Sequence, residues 1–174
     1  MLTIRDATPA DVPTMLRFIH ELAHYEREPD AVVATEADLL RDGFALAPDG
    51  TALETPIRFR AHIAELTEAG TTTAAGFALF FTSYSTWRGH HGIRLEDLYV
   101  TPALRQRGIG KALLARLAQI AIDEGCPRLE WDVLEWNEPA IAVYHRLGAQ
   151  MLTEWRIMRL AGDALHALAA NDTR

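Results

Sequence analysis

The run from Leu95 to Lys111, Leu95-Glu-Asp-Leu-Tyr-Val-Thr-Pro-Ala-Leu-Arg105-Gln-Arg107-Gly108-Ile-Gly110-Lys111, gathers the residues best suited to chemistry. An apolar stretch ends at Thr101-Pro102, a short loop turns, and a helical pattern opens on two glycines. Helix openings leave backbone N–H groups without intrahelical acceptors. Aligned peptide dipoles add about half a positive charge at that end. Glycine lets a ligand approach the main chain closely. Arg105, Arg107 and Lys111 add three cations within seven residues. The combination suits a pyrophosphate; a solvated helix start is the plainer alternative. A P-loop requires Gly at 105 and Ser or Thr at 112, where this chain has Arg105 and Ala112. A dinucleotide fingerprint requires a third Gly at the position of Leu113. Glu130, about twenty residues further on, keeps that reading open.

The pair Glu96-Asp97 interrupts an apolar stretch. Adjacent residues of a strand point to opposite faces, so one of the two readily faces a given pocket. Burying a carboxylate without a partner is costly, which argues that at least one is functional; a structural acid that tethers a loop is the competing explanation for Asp97. Tyr144 shares a helical stripe with Ile141 and Leu147, and periodicity alone reads it as a core tyrosine. His90 and His91 read as loop histidines. No metal is expected, because adjacent residues rarely both ligate one zinc and neither a His-x-x-x-His pair nor a Cys cluster is read as supporting one. Cys126, the only cysteine, reads as an ordinary thiol.

These groups must be positioned by recognisable elements. Leu2–Ile4 predicts a first strand. Thr8 with Pro9 and Asp11 starts a helix over 9–26, whose Val12, Met15, Leu16, Ile19 and Leu22 recur at helical spacing. Thr35 with Asp38 starts a second helix that ends near Gly43. Strands are expected at 59–67, 74–82, 95–100, 129–134 and 151–160, with residues 83–92 as a polar loop. Helices are expected at 108–124, 137–147 and 163–170. The order β-α-α-β-β-β-α-β-α-β predicts an α/β (α+β) fold, a mixed sheet with helices on both faces.

The chain has 174 residues, 49% of them hydrophobic, and a formal net charge of -7. That length suits a single domain over 1–174. So acidic a chain is a poor nucleic-acid binder, and its charge would attract a cationic substrate. One cysteine permits no intrachain disulfide, which suits a reducing compartment. The N-terminal stretch lacks a signal-peptide core and no run of about 18 apolar residues occurs. A cytoplasmic location without membrane contact is expected.

Arg105-x-x-Gly108-x-Gly110 between a strand and a helix resembles the pyrophosphate loop of the GNAT superfamily, the Gcn5-related N-acetyltransferases. Asn137-x-x-Ala140-x-x-x-Tyr144-x-x-x-Gly148 resembles that superfamily's downstream helix. The resemblance is closer still to the spermidine/spermine (diamine) N-acetyltransferase-like subfamily. It is carried by Glu21-Leu-Ala-x-Tyr25-Glu26, by Thr35-Glu-x-Asp-Leu-Leu-x-Asp-Gly-Phe44, by Leu95-Glu-Asp97 and by Trp136-Asn-Glu-Pro139. It implies a GNAT fold with a mostly antiparallel sheet, and transfer of acetyl from acetyl-CoA to a small-molecule amine. By the same resemblance Glu96 is the general base, through a water, and Tyr144 the general acid to the CoA sulfur. Backbone at Leu98, Tyr99 and Val100, the run Arg105, Gln106, Arg107, Gly108, Ile109, Gly110 and Lys111, and Asn137 and Tyr144 would hold the CoA. Tyr25, Glu26, Trp87, Glu96, Asp97 and Trp155 would line the amine site. Polyamine-acetylating members carry an Asp near the position of Ser85, so a shorter diamine or a lysine-like amino acid fits equally. A homodimer is implied.

Overall fold

Strand β1 (Leu2–Asp6) pairs antiparallel with β2 (Arg60–Glu68), β2 with β3 (Thr71–Ser85), and β3 with β4 (His90–Val100). A two-residue β5 (Leu129–Glu130) adds in parallel to β4, so the sheet order is β1-β2-β3-β4-β5. This is the mixed, mostly antiparallel sheet expected. The computed structural model describes residues 1–171. It divides into two units, Met1–Leu134, which holds the whole sheet, and a smaller one from Glu135 onward.

In the first unit the start signals act as their chemistry requires. The Asp11 carboxylate accepts from the Thr8 N–H at 2.7 Å and its hydroxyl at 2.8 Å, ahead of α1 (Val12–Tyr25). Thr35 Oγ1 accepts from the Asp38 N–H at 3.2 Å and opens α2 (Glu36–Phe44). Val12, Met15 and Phe18 of α1 and Leu39 of α2 pack on Ala61, Ile63, Phe77, Leu79 and Tyr99, which form one face of the sheet. Phe18 stacks on Phe77 with ring centroids 5.6 Å apart. Alternation sends Phe80, Ile93 and Leu95 to the opposite face, and α3 (Ile109–Asp123) packs against β3 and β4 with Leu113 and Leu117 fully buried.

Three expectations are corrected. Residues 83–92 are not an open loop: β3 runs on to Ser85 and β4 starts at His90, leaving only 86–89 as the turn. Polar composition misled there, because Ser83, Tyr84, His91 and Gly92 sit at a hairpin end, where strand pairing needs no apolar side chain. The 129–134 strand is hydrogen-bonded only at its first two residues. The 151–160 segment is not a strand, and its apolar residues are exposed, Trp155 at 67% and Met158 at 91%. An extended segment becomes a strand only when a neighbour supplies the ladder, and the second unit contains no other strand among the described residues. That unit has α4 (Glu138–Arg146) and α5 (Gly162–Ala170).

Gly76 of β3 sits opposite Val100, and a Cβ added there would lie 2.3 Å from the Tyr99 carbonyl oxygen. Only glycine allows that approach of two backbones. Gly76→Ala is expected to lower stability by about 1–3 kcal/mol, measured as a shift of the urea unfolding midpoint with unchanged slope.

Candidate active site

The β3–β4 ladder slips between Leu79 and Phe80: Leu79 faces Asp97, Phe80 faces Leu95, and Glu96 has no opposite residue. Glu96 is therefore the extra residue of a β-bulge. A regular strand would send Leu95 and Asp97 to one face. The bulge instead leaves Leu95 with Phe80 and turns Asp97 to the face of Leu79, where α1 packs. Bulges commonly re-aim a side chain next to active sites. Sequence reading found the two acids but had no signal for the slip.

The second feature lies on the other edge of β4. Its pairing with β5 covers Ile93↔Leu129 and Arg94↔Glu130 only. From Leu95 to Val100 the edge away from β3 has no ladder partner among the described residues. Leu98, Tyr99 and Val100 lie on that edge. The Tyr99 side chain is only 4% exposed and packs against Phe18, so its part in any ligand site falls to its main chain. Burial and a hydrogen bond to Glu21 push its hydroxyl up to about 12.

The chain then turns through Pro102–Leu104 into α3. Gln106 has φ 63° and Gly108 φ 80°, two left-handed residues that swing the main chain into the helix axis. The first helical bond of this end runs from the Ala112 N–H to the Gly108 carbonyl at 2.9 Å. The N–H groups of Ile109, Gly110 and Lys111 thus point out of the helix mouth. A Cβ at Gly108 would meet no atom within 4 Å, so glycine is required there by its backbone angle and not by crowding. Lys111 is exposed on the first turn.

The two arginines of the loop have different partners. Arg105 Nε donates to the Val100 carbonyl at 3.1 Å, and its guanidinium stands 4.7 Å from the Tyr25 ring centroid. Tyr25 ends α1, so this contact joins the loop to that helix. Arg107 makes a two-pronged pair with the Glu68 carboxylate of β2. It would have to leave Glu68 to meet a phosphate. A cleft of about 560 Å³ opens beside Arg105, lined also by His20, Glu21, His24, Tyr25 and Thr101. His20 and His24 flank Glu21 in an H-E-x-x-H spacing that sequence reading passed over. Among the described residues no third His, Cys, Asp or Glu donor joins them within 4.8 Å.

The acids converge at the end of α1. Asp97 is half-buried, and its carboxyl is pushed up to about 6 by loss of water, with the Glu96 and Glu26 carboxylates adding repulsion. Glu26, which follows Tyr25, is itself raised by partial desolvation. The Asp97 carboxyl thereby feels the charges of both Glu96 and Glu26. Such a cluster can hold an ammonium group and accept its proton near neutral pH. Trp87 is not brought to it: it is 87% exposed in the 86–89 turn, and Glu96 lies six strand steps beyond His90, about 20 Å at 3.3 Å each. Ser85, just before the turn, is buried, and its Oγ accepts from the Arg88 N–H at 3.3 Å.

Asn137, Tyr144 and Trp155 belong to the second unit. The Asn137 carbonyl accepts from the Ala140 and Ile141 N–H groups at 3.0 Å and so opens α4. Tyr144 is half-buried on α4, and its carbonyl accepts from the Ala149 N–H at 3.0 Å. The Trp155 N–H donates to the Leu152 carbonyl at 3.2 Å.

Comparison with known proteins adds independent findings. The model of the acetyltransferase (GNAT) family matches residues 20–149. A thialysine N-epsilon-acetyltransferase of Bos taurus is 40% identical over 173 residues, which cover 95% of this chain and 96% of the relative. An L-ornithine N5-acetyltransferase of Arabidopsis thaliana is 34% identical, with 95% of this chain and 86% of the relative covered. An integron cassette protein from V. cholerae superposes with a TM-score of 0.72 at 26% identity, over 97% of both chains.

The Asp97 shift has a stability consequence. Its folded pKa near 6 exceeds its unfolded value of 3.8, so the folded state holds the proton more tightly. Stability is then fully present below the unfolded value and falls as pH rises through the folded one. Asp97→Asn is expected to raise the Tm relative to the parent above pH 6, with the gain shrinking to nothing below pH 4. Parallel melts across that range check it.

Proposed function

Because the chain belongs to the GNAT family of acetyltransferases, we propose that it moves the acetyl group of acetyl-CoA to the primary amine of a small molecule. The acceptor is a lysine-like amino acid, a diamine or a polyamine. The observation that carries the reading is the junction of β4 and α3: a strand edge without a partner leads directly into a helix mouth with outward N–H groups. An extended amide chain ending in a pyrophosphate needs both, in that order. The amides would pair with the main chain of Leu98, Tyr99 and Val100 as an added strand. The phosphates would take the N–H groups of 108–111, with Arg105 and Lys111 as counter-charges.

The acceptor side rests on the acid cluster and on the relatives. Glu26, Glu96 and Asp97 supply negative charge, and Tyr25 an aromatic face for an ammonium group. Two relatives that match over most of this chain are named for thialysine and ornithine, both amino acids with a side-chain amine. Polyamine-acetylating members have an Asp near the position of Ser85, so by that residue a shorter diamine or a lysine-like amino acid fits as well as a polyamine. In the reaction Glu96 takes the ammonium proton through a water. The neutral nitrogen attacks the thioester carbonyl carbon, the C–S bond breaks, the Tyr144 hydroxyl protonates the leaving thiolate, and the proton shed by the new amide nitrogen returns to the tyrosinate. Asn137 holds the CoA arm from the start of α4 and Trp155 contacts the amine, whereas Trp87, exposed in the 86–89 turn, is left out of the acceptor site. The working enzyme is a cytoplasmic homodimer; a monomer mass by light scattering at assay concentration would remove that part.

Free-CoA release with thialysine, ornithine, a diamine, spermidine and a lysine peptide tests the reading. Turnover is expected with the small amines, fastest with thialysine or ornithine. Turnover confined to the peptide would make it a protein acetyltransferase, and CoA binding with no turnover a non-catalytic module. Tyr144→Phe and Glu96→Gln are each expected to lower kcat by about ten-fold or more, toward the 10² typical of acid–base groups. An unchanged kcat takes that residue out of the mechanism.

A further inference from the structure

We propose that His91, Glu124 and Cys126 form a binding site for a divalent cation of zinc-like chemistry where the end of α3 meets the start of β4. An imidazole nitrogen of His91, a carboxylate oxygen of Glu124 and the sulfur of Cys126 all lie within 4.8 Å of one another. Zinc takes these three donor types at about 2.0–2.3 Å, which sets tetrahedral donors about 3.5 Å apart. Closing the set therefore needs movements of about 1 Å, within reach of side-chain adjustment. A dication with one thiolate and one carboxylate is electrically neutral. Sulfur, imidazole and carboxylate together select zinc over magnesium or calcium, which prefer all-oxygen ligation.

The fold assembles this set from positions far apart in sequence. Gly125, with φ 68°, reverses the chain after α3, and the Cys126 N–H donates to the Ala121 carbonyl at 2.7 Å. Glu124 and Cys126 thereby flank one tight turn. His91 is fixed on both sides, by pairing with Tyr84 of β3 and by the neighbouring Ile93 N–H, which donates to the Arg128 carbonyl at 3.1 Å. His90 stacks on His91 with centroids 4.6 Å apart, and its ring lies against Gly125. Only one histidine of the adjacent pair enters the set, so the objection to two neighbours sharing one ion does not apply.

Glu124 already has a partner, since Arg60 bridges it at 2.5 and 3.2 Å. A carboxylate has about four acceptor sites, so one oxygen can turn to the cation while Arg60 keeps the other. On binding, the Cys126 S–H bond gives its proton to solvent and the sulfur lone pair goes to the metal. Burial and the Glu124 charge otherwise hold that thiol above its ordinary range. The fourth position is left to water. A bound ion would tie the foot of the β3–β4 hairpin, whose turn carries Trp87, to the end of α3.

Because Cys126 is the only cysteine, cobalt gives a clean test. Chelator-treated full-length protein is titrated with Co²⁺, and the sulfur-to-cobalt charge-transfer band is followed. One equivalent is expected to produce the band and Zn²⁺ to abolish it. Cys126→Ser should lose the band and His91→Ala should bind at least ten-fold more weakly, both with unchanged circular dichroism. Zn²⁺ should also slow alkylation of Cys126. No band, a band undiminished in His91→Ala, or binding of equal strength in Cys126→Ser overturns the assignment. The last result would move the ion to another site, such as His20 and His24.

Discussion

The candidate site depends on backbone hydrogen-bonding groups that the sheet does not use. β4 is engaged with β3 along its length apart from the bulge at Glu96, but keeps its other neighbour only at Ile93 and Arg94. From Leu95 onward its second edge is open, and five residues after Val100 the chain is already turning into a helix mouth. Main-chain N–H and C=O groups must be satisfied by protein, water or ligand. Concentrating unsatisfied ones along a strand and at the next helix opening creates a track that matches an amide chain followed by an anion. The core side chains of β4, Ile93, Leu95 and Tyr99, hold that track rigid from behind.

Charge refines what the backbone begins. Three cations in the loop look equivalent in sequence, yet the fold separates them. Arg105 is held by the Val100 carbonyl and the Tyr25 ring, so it is pre-set beside the cleft. Arg107 is neutralised by Glu68, which anchors the loop to β2. Lys111 stays exposed on the helix. In the function proposed, this division lets Arg107 fix the loop while Arg105 and Lys111 would be left for the ligand.

Much of this was legible in the sequence because it is local. The Thr8 and Thr35 helix starts, the glycine pair of the loop, and the Glu96-Asp97 interruption are all short-range patterns, and each has its structural counterpart. What was missed depends on partners remote in the chain. The bulge at Glu96 exists only relative to β3. The 151–160 strand was inferred from its apolar residues, but a ladder partner is not written in the segment itself. The Arg107–Glu68 pair spans 39 residues. The His91, Glu124 and Cys126 cluster likewise joins a hairpin foot to a helix end. Asn137, Tyr144 and Trp155 were singled out by resemblance, and their side chains stand in the second unit, each within its own local frame.

The acid cluster shows why the bulge matters. In an unbroken strand Asp97 would share a face with Leu95, against α3, where a carboxylate would be surrounded by apolar side chains. The one-residue slip moves it to the end of α1, near Glu26, and leaves Glu96 outside the ladder. Asp97 remains short of water there, and two like charges raise its proton affinity further. The repulsion that Glu96 and Glu26 exert on Asp97 adds to its loss of water and lowers stability near neutral pH. A cationic amine relieves that repulsion on binding, and once it gives up its proton the attraction weakens. In the reaction proposed, the same arrangement would draw in an ammonium group and hold it charged, so that conversion to the neutral nucleophile falls to a base that takes the proton through water.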